Sequence, residues 1–343
     1  MLTGLKQMGI DYAYEVSRGA ELVPDATRKL TADGRLPKPV ISSACPAVVR
    51  LIRVRFPDLC DHVLNLNAPM EVSAMMAKRA ASERTGIPIE EIGAFFITPC
   101  PAKVTDIKMP IGTEGSWCDG AIAISEVFPL LSHRMDKLET VEPIGQSGLI
   151  GVSWAGSGGE SAALLNEKYL AADGIENVIR VLEELEDERI RELDFVELNA
   201  CSGGCVGGVL CVENGYVAKA RLQRLRKYLP VSQNHLDGGV PRDMEWTEPL
   251  EFAPVLKLSQ NLEEAMQMME EIDVICEGLP GLDCGSCGAP SCRALAEDVV
   301  RGAARTSDCV FVMREQVKNV ADTLSSIGGY VPSYLDSKEK QGN

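Results

Sequence analysis

The sequence predicts an α/β protein in two parts. A larger domain with sheets flanked by helices spans residues 1–255, and a small α-helical domain spans 262–330. Three observations predict this. Short apolar runs alternate with amphipathic stretches through roughly the first two thirds of the chain, the order that builds parallel sheets wrapped in helices. A polar, proline-bearing stretch, DGGVPRDMEWTEPLEFAP, breaks that alternation from Asp237 and reads as a linker to about Leu258. Beyond it a compact group of cysteines lies between helical segments.

The elements follow in order. Pro39–Ser43 (PVISS) reads as a strand and Pro46–Phe56 as a helix with Val48, Val49, Leu51 and Ile52 on its apolar face. Met70–Thr85 reads as a helix stopped by Gly86. Ile92–Thr98 (IGAFFIT) is a continuous apolar run of the buried-strand kind. Leu149–Trp154 reads as another strand, followed by the glycine turn Ala155–Gly159 and a helix from about Ser161. Ile175–Arg191 is an amphipathic helix, Phe195–Leu198 a strand, and Tyr216–Tyr228 a basic helix. A helix near Leu262–Ile272 precedes the cysteine group, and a helical tail runs to about Ser326.

The chain has 343 residues, 45% of them hydrophobic, enough to bury a sizeable core. Net charge is 34 − 50 = −16. That balance argues against nucleic acid and against an anionic membrane surface, since both are bound mainly through Lys and Arg. No apolar stretch approaches the length of a spanning helix, and the N-terminus lacks the pattern of a secretory signal. A cytoplasmic location is expected. Twelve cysteines stand beside three histidines. In a reducing compartment clustered cysteines read as metal ligands rather than disulfides, and the shortage of histidine weakens any Ser–His or Cys–His nucleophile.

Three cysteine sites share one context. Cys45 follows PVISSA, Cys100 follows IGAFFITP, and Cys201 follows FVELNA with Cys205 four residues later in CSGGC. The carboxyl ends of parallel strands form the crevice where open α/β sheets bind ligands, so these cysteines can converge on one point. Four thiolates there suit a 4Fe–4S cluster or a zinc ion. Gly203, Gly204, Gly207 and Gly208 let backbone approach sulfur closely, and Pro46 marks a helix start whose positive end suits an anionic cluster. Taken singly, Cys45 and Cys100 also read as ordinary buried thiols. The second constellation is local: Cys284, Cys287, Cys292 and Cys309 give C-x2-C-x4-C-x16-C with Gly281, Gly285, Gly288 and Pro290 around them. A 4Fe–4S cluster is the better reading there, because zinc sites usually show two C-x2-C knuckles or a histidine pair. Cys60, Cys118, Cys211 and Cys276 have no partner at ligand spacing and read as packing or exposed thiols.

SSACPAVV (42–49), TPCPAKVTD (98–106) and ELNACSGGCVGG (197–208) resemble, in order, the three signature motifs of FeFe hydrogenases. The resemblance implies a two-lobed H-cluster domain. It implies a 4Fe–4S cubane on Cys45, Cys100, Cys201 and Cys205, bridged by Cys205 to a two-iron unit carrying CO and cyanide once matured. Lys103 matches the lysine that hydrogen-bonds a cyanide, and Gly158 and Gly159 match a loop near the two-iron unit. The cysteines at 284–309 resemble a small 4Fe–4S domain of sensor-like members, giving two such clusters in all. H2 and protons are the implied substrates. The implied partners are a ferredoxin-like electron carrier or a downstream signalling domain, together with maturation machinery.

Departures point to the sensory branch. Ala44 stands where catalytic members carry a proton-relaying cysteine, and Ala68 where a relay serine is expected. Thr98 and Asn199 replace flanking methionines. The early glutamates of the family have no clear place in RGAELVPDATRKL. Met1 falls inside the expected domain, so that domain is expected to be N-terminally incomplete. The implied activity is slow, hydrogen-sensing H2 chemistry; the other reading is an iron–sulfur scaffold, assembly or electron-transfer protein without the two-iron unit.

Overall fold

The computed structural model describes residues 1–328 apart from 33, 35, 254–257, 260 and 290. The chain forms two compact units, Met1–Pro254 and Val255–Asn343. The first is built on five short strands: β1 (Val40–Ile41), β2 (Phe95–Thr98), β3 (Gly120–Ala123), β4 (Tyr169–Asp173) and β5 (Phe195–Asn199). They form two parallel sheets, one in the order β1-β5-β4 and one of β2 with β3. Val40 and Tyr169 both lie opposite Phe195, and Phe95 lies opposite Gly120.

Strand β5 is buried on both faces, and its side chains alternate between two cores. Val196 and Leu198, with Ile41, meet the helices Pro46–Arg55 (Val48, Val49, Ile52) and Ile175–Glu186 (Val178, Leu182, Leu185). Phe195 and Val40 face the other way, onto Leu22, Val23, Leu64, Leu66, Val72 and Met75. These helices form where apolar residues recur at helical spacing, and burying that stripe is what holds them. The helix Pro69–Thr85 ends at Gly86, whose φ of 74° is left-handed, so the expected glycine stop is found.

Four stretches differ from the sequence expectation. Leu149–Trp154 is not a strand: Leu149–Ser153 is a short helix. A six-residue apolar run does not by itself separate strand from helix. Here Gly151 decides, because it packs directly on the helix Val16–Ala32, where an added Cβ would stand 2.1 Å from the Ser17 carbonyl oxygen. Strands β3 (GAIA) and β4 (YLAAD) carry few branched or aromatic residues, so propensity does not announce them. The stretch from Asp237 folds back onto the first unit. The Asn67 amide donates to Met244 O (2.8 Å), Trp246 N to Asn65 O (3.2 Å) and Ala253 N to Arg53 O (2.8 Å), and Met244 is buried.

The second unit has the helices Leu262–Gly278, Cys292–Val300 and Val310–Gly328. Asn261 caps the first, its side chain accepting from Glu263 N, and Ser291 caps the second by accepting from Ala294 N (3.1 Å). Ile272, Leu279, Ala289, Leu295, Ala296 and Cys309 form its core. Among the described residues no helix is long and apolar enough to cross a membrane.

Candidate metal centres

Strands β1, β2 and β5 each end in a cysteine-bearing turn. Cys45 is the N-cap of the helix Pro46–Arg55 and Cys100 that of Pro101–Lys108, and each is followed by proline at the first helical position. Proline fits there because its missing N–H would lack a partner anyway. Both sulfurs therefore stand at the positive end of a helix, which favours an anion. Thr98 shapes the second turn: its buried hydroxyl donates to Cys100 O (3.0 Å) and accepts from Cys100 N (3.1 Å). The expected replacement of a methionine by Thr98 thus has a local backbone role.

After β5 the chain turns through Gly203 (φ 83°) and Gly204 (φ 89°). An added Cβ on Gly204 would lie 2.5 Å from Ser157 N, so only glycine lets this hook meet the turn Ala155–Gly159. The two are laced together: Ser157 N donates to Gly203 O and Val206 N to Ala155 O, both at 3.0 Å. Gly158 N donates to Glu197 Oε1 (2.9 Å) and Gly159 N to Gly156 O (3.0 Å). The amides of Gly158 and Gly159 thus hold the turn itself.

The four expected ligands of the first site approach one another. Cys205 keeps some accessible surface, yet protein atoms crowd its sulfur, and that burial pushes the thiol up to about 12. Lys103 pulls it down, while Cys45, Cys100 and Cys201 push it up. Cys201 is raised by burial first, then by Cys100, Cys45 and Cys211. Lys103 is buried and its Nζ donates to Ala44 O at 3.2 Å. The ammonium has three N–H donors, so this bond uses one of them. Ala44 N in turn donates to Ser42 Oγ (3.2 Å).

Buried carboxyls surround this lysine. Glu71 is raised by burial and drawn back first by hydrogen bonds from Ser116 and Trp117, with Lys103 a lesser pull; the half-buried Asp106 is raised by burial and drawn back by Lys103 and then Arg50. They line a small cavity of about 20 Å³ with Ser43, Asn67 and Ala68, room for about one water molecule. Glu160 is buried and bonds Ser42 Oγ through Oε2 (2.6 Å); burial and then Glu197 push it well above the usual carboxylate range. Glu197 accepts from Gly158 N, Ser161 N and Asn199 Nδ2 at 2.9–3.0 Å, so it is the better-solvated anion of the pair. Glu21, which sequence left without a role, is caged: it accepts from Gly148 N, Ser232 Oγ, Gln233 N, Asn234 N and Asn234 Nδ2. Those bonds hold it below the usual carboxylate range against the cost of burial.

In the second unit, Cys309 is part of the core, and Cys287 and Cys292 pack against it. Cys292 opens the helix Cys292–Val300, and its N–H donates to Asp283 Oδ1 (2.6 Å). Cys284 stands exposed at the edge, its thiol lowered by hydrogen bonds from the side chain and backbone of Ser286. Gly285 (φ 68°) and Gly288 (φ 93°) make the turns between these cysteines. Pro290 lies outside the described residues.

Among the described residues no three His, Cys, Asp or Glu side chains lie close enough to share one ion. A zinc ion needs all its thiolates about 2.3 Å from one point, whereas a cubane gives each sulfur its own iron and asks for wider spacing. The first site suits the larger group: Cys45, Cys100 and Cys201 all act on Cys205, Cys45 and Cys100 open helices, and the buried Lys103 acts on Cys205 as well. Sequence reasoning missed two thiols. Cys211 lies against the first site and Cys276 packs with Cys287 and Cys292 in the second unit. Neither is spaced like a ligand, and only the turn after Cys205 could have pointed to Cys211. Cys60 and Cys118 are buried in apolar cores.

Comparison with known proteins agrees with this architecture. A family model described as the iron only hydrogenase large subunit, C-terminal domain, matches residues 1–169 and 157–209. A second, described as an Fe-S cluster, matches residues 279–311. The NADP-reducing hydrogenase subunit HndD of Solidesulfovibrio fructosivorans is 21% identical over 264 residues, covering 61% of this chain and 44% of that protein. The cytosolic Fe-S cluster assembly factor nar1 of Aspergillus terreus is 28% identical over 99 residues, covering 29% of this chain and 16% of that protein. The chain therefore spans less than half the length of these curated relatives. The HydA(deltaEFG) structure of stepwise FeFe-hydrogenase H-cluster assembly superposes with a TM-score of 0.54 at 16% identity, covering 72% of this chain and 86% of that one. A HydA1 FeFe-hydrogenase variant from Chlamydomonas reinhardtii gives 0.51 at 16%, covering 74% and 87%. These likenesses show the fold, which is the α/β class the sequence predicts.

Proposed function

The chain belongs to the family of the iron only hydrogenase large subunit, C-terminal domain, and from that premise we propose that it is a slow, hydrogen-sensing member of the FeFe-hydrogenase type. Cys45, Cys100, Cys201 and Cys205 would hold a 4Fe–4S cubane beside a two-iron unit carrying CO and cyanide. Cys284, Cys287, Cys292 and Cys309 hold a second 4Fe–4S cluster that exchanges electrons with a ferredoxin-like carrier or a signalling domain. When bound, the two-iron unit supplies reversible splitting of H2 into protons and electrons. The observation that carries this reading is the gathering of four thiols from three distant strand ends beside one buried lysine.

The chain's own groups do the rest. Lys103 holds a positive charge in the pocket, where an anionic ligand repays part of the cost of burying it. The Ala44 methyl cannot carry a proton, so the route open to catalytic relatives stops there. Ser42 bridges the Ala44 amide and Glu160, keeping a proton-bearing carboxyl one hydroxyl away from that backbone. Slow turnover follows. Anaerobic infrared spectroscopy on protein made with maturation machinery tests it: CO and cyanide bands are expected, with Ala44→Cys raising turnover.

The match to cytosolic Fe-S cluster assembly factors favours a second reading. In it the cubanes are present, the two-iron unit is not, and H2 chemistry is absent. Cubane signals without CO or cyanide bands decide for that reading. A reducing, cytoplasmic setting suits both.

A further inference from the structure

Cys211 lies beside the first site rather than apart from it. From Cys205 the chain winds through two tight turns, with Gly208 N donating to Cys205 O and Cys211 N to Gly208 O, both at 3.0 Å. The winding is clamped onto the strand that delivers Cys100: Leu210 N donates to Pro99 O at 3.0 Å. Gly208 sits so close there that an added Cβ would lie 2.3 Å from the same oxygen. Residues 210 and 99 are thus paired, which sets Cys211 next to Cys100. The thiol of Cys211 makes a weak S–H bond to Cys205 O, at 3.7 Å, and the Gly208 backbone also hydrogen-bonds it. It is half-buried, so its proton can reach solvent. Cys211 and Cys100 influence one another electrostatically, as do Cys211 and Cys201.

We propose that Cys211 is a reserve iron ligand of the first site, able to take the iron otherwise bound by Cys100 or Cys201. This rests on the reading that a cubane occupies that site. The exchange is a ligand substitution without electron transfer. The Cys211 S–H gives its proton to solvent and its sulfur bonds iron; the iron–sulfur bond of the displaced cysteine breaks, and that sulfur takes up a proton from solvent. The cost is small on the protein side, because the bonds Cys211 gives up, to Cys205 O and with the Gly208 backbone, are the weak ones of a sulfur. A pocket offering five thiols for four irons keeps its cluster when one ligand is lost, and gives a cluster a route for stepwise handover.

The test is iron and sulfide content, with electron paramagnetic resonance after reduction, on the full chain reconstituted anaerobically with ferrous iron and sulfide. Two cubanes give about eight irons per chain. Cys100→Ala is expected to keep about eight, with an altered resonance, and Cys100→Ala/Cys211→Ala to fall two-fold to about four. Cys201→Ala and Cys201→Ala/Cys211→Ala form an independent series should the first fail to fold. Cys211→Ala alone is expected to keep the full complement. The inference is overturned if both single variants lose as much iron as the doubles, or if Cys211→Ala alone loses the cluster. A wild-type chain holding only about four irons sinks the four-cysteine reading itself, and this inference with it.

Discussion

Cys45, Cys100, Cys201 and Cys205 span 160 positions and come from the ends of β1 and β5 in one sheet and of β2 in the other; Cys284, Cys287, Cys292 and Cys309 lie within 26 residues and need only tight turns and a helix start. The difference shows in the thiols. At the first site Cys205 is crowded by protein and pushed up to about 12. At the second, Cys284 is exposed and lowered by Ser286. A site assembled by tertiary structure can bury its ligands, supply a lysine and exclude water. A site assembled by local turns leaves one of its thiols, Cys284, at the surface.

The largest expected effect separates the two sites by composition. Cys45→Ala should remove about four irons per reconstituted chain and leave the second cluster's resonance in place, since Cys211 serves the side of Cys100 and Cys201. Cys292→Ala should do the reverse. Equal loss from both sites in either variant would break the comparison.

Next comes the backbone. Gly204 has a positive φ and no space for a Cβ, with Ser157 N at 2.5 Å. Gly204→Ala should cost about 1–2 kcal/mol for the left-handed conformation and about 1–3 kcal/mol more for overpacking. Gly285 also has a positive φ, but its nearest neighbour is Ala289 O at 4.0 Å, so Gly285→Ala should cost only the first of these. Denaturant unfolding of the two variants checks the ratio.

Glu21 gives a smaller effect, confined to the first unit. Its folded-state pKa lies below the unfolded value, so its stabilisation is present above about pH 4.3 and is lost as pH falls through the lowered value. Glu21→Gln should cost about 1–3 kcal/mol at pH 7, by unsatisfying buried donors, and should flatten the acid limb of stability against pH. An unchanged acid limb would mean that the cage does not hold the ionised form.

The smallest effect sharpens the second site. Ser286→Ala should raise the Cys284 thiol pKa and slow its alkylation at pH 7 a few-fold, read by peptide mass spectrometry. Cys205 should stay unmodified throughout in the folded chain.

Much of this was legible in the residues. The runs PVISS, IGAFFIT and FVEL announced β1, β2 and β5, and each cysteine directly after them announced a strand-end site. Lys103 was readable only through its motif. The helix at Leu149–Ser153 was not legible, because an apolar run lacks a period and only the contact of Gly151 with Ser17 selects helix. Glu21, Glu160 and Cys211 were not legible either: their partners lie far away in sequence or, for Cys211, across a turn whose winding is set by the strand it touches.

The sequence by itself determined which residues follow the strands of the first site, the glycines in the turns between them and the local spacing of Cys284, Cys287, Cys292 and Cys309. These are covalent or short-range properties, fixed before folding. Only the tertiary structure decided that Cys45, Cys100 and Cys201 act on Cys205, that Lys103 is buried beside Ala44, and that Cys211 lies close to Cys205 and Cys201. Parallel pairing sets the ends of β1 and β5 side by side, and that pairing depends on burying both faces of β5, an outcome of the whole chain rather than of any segment.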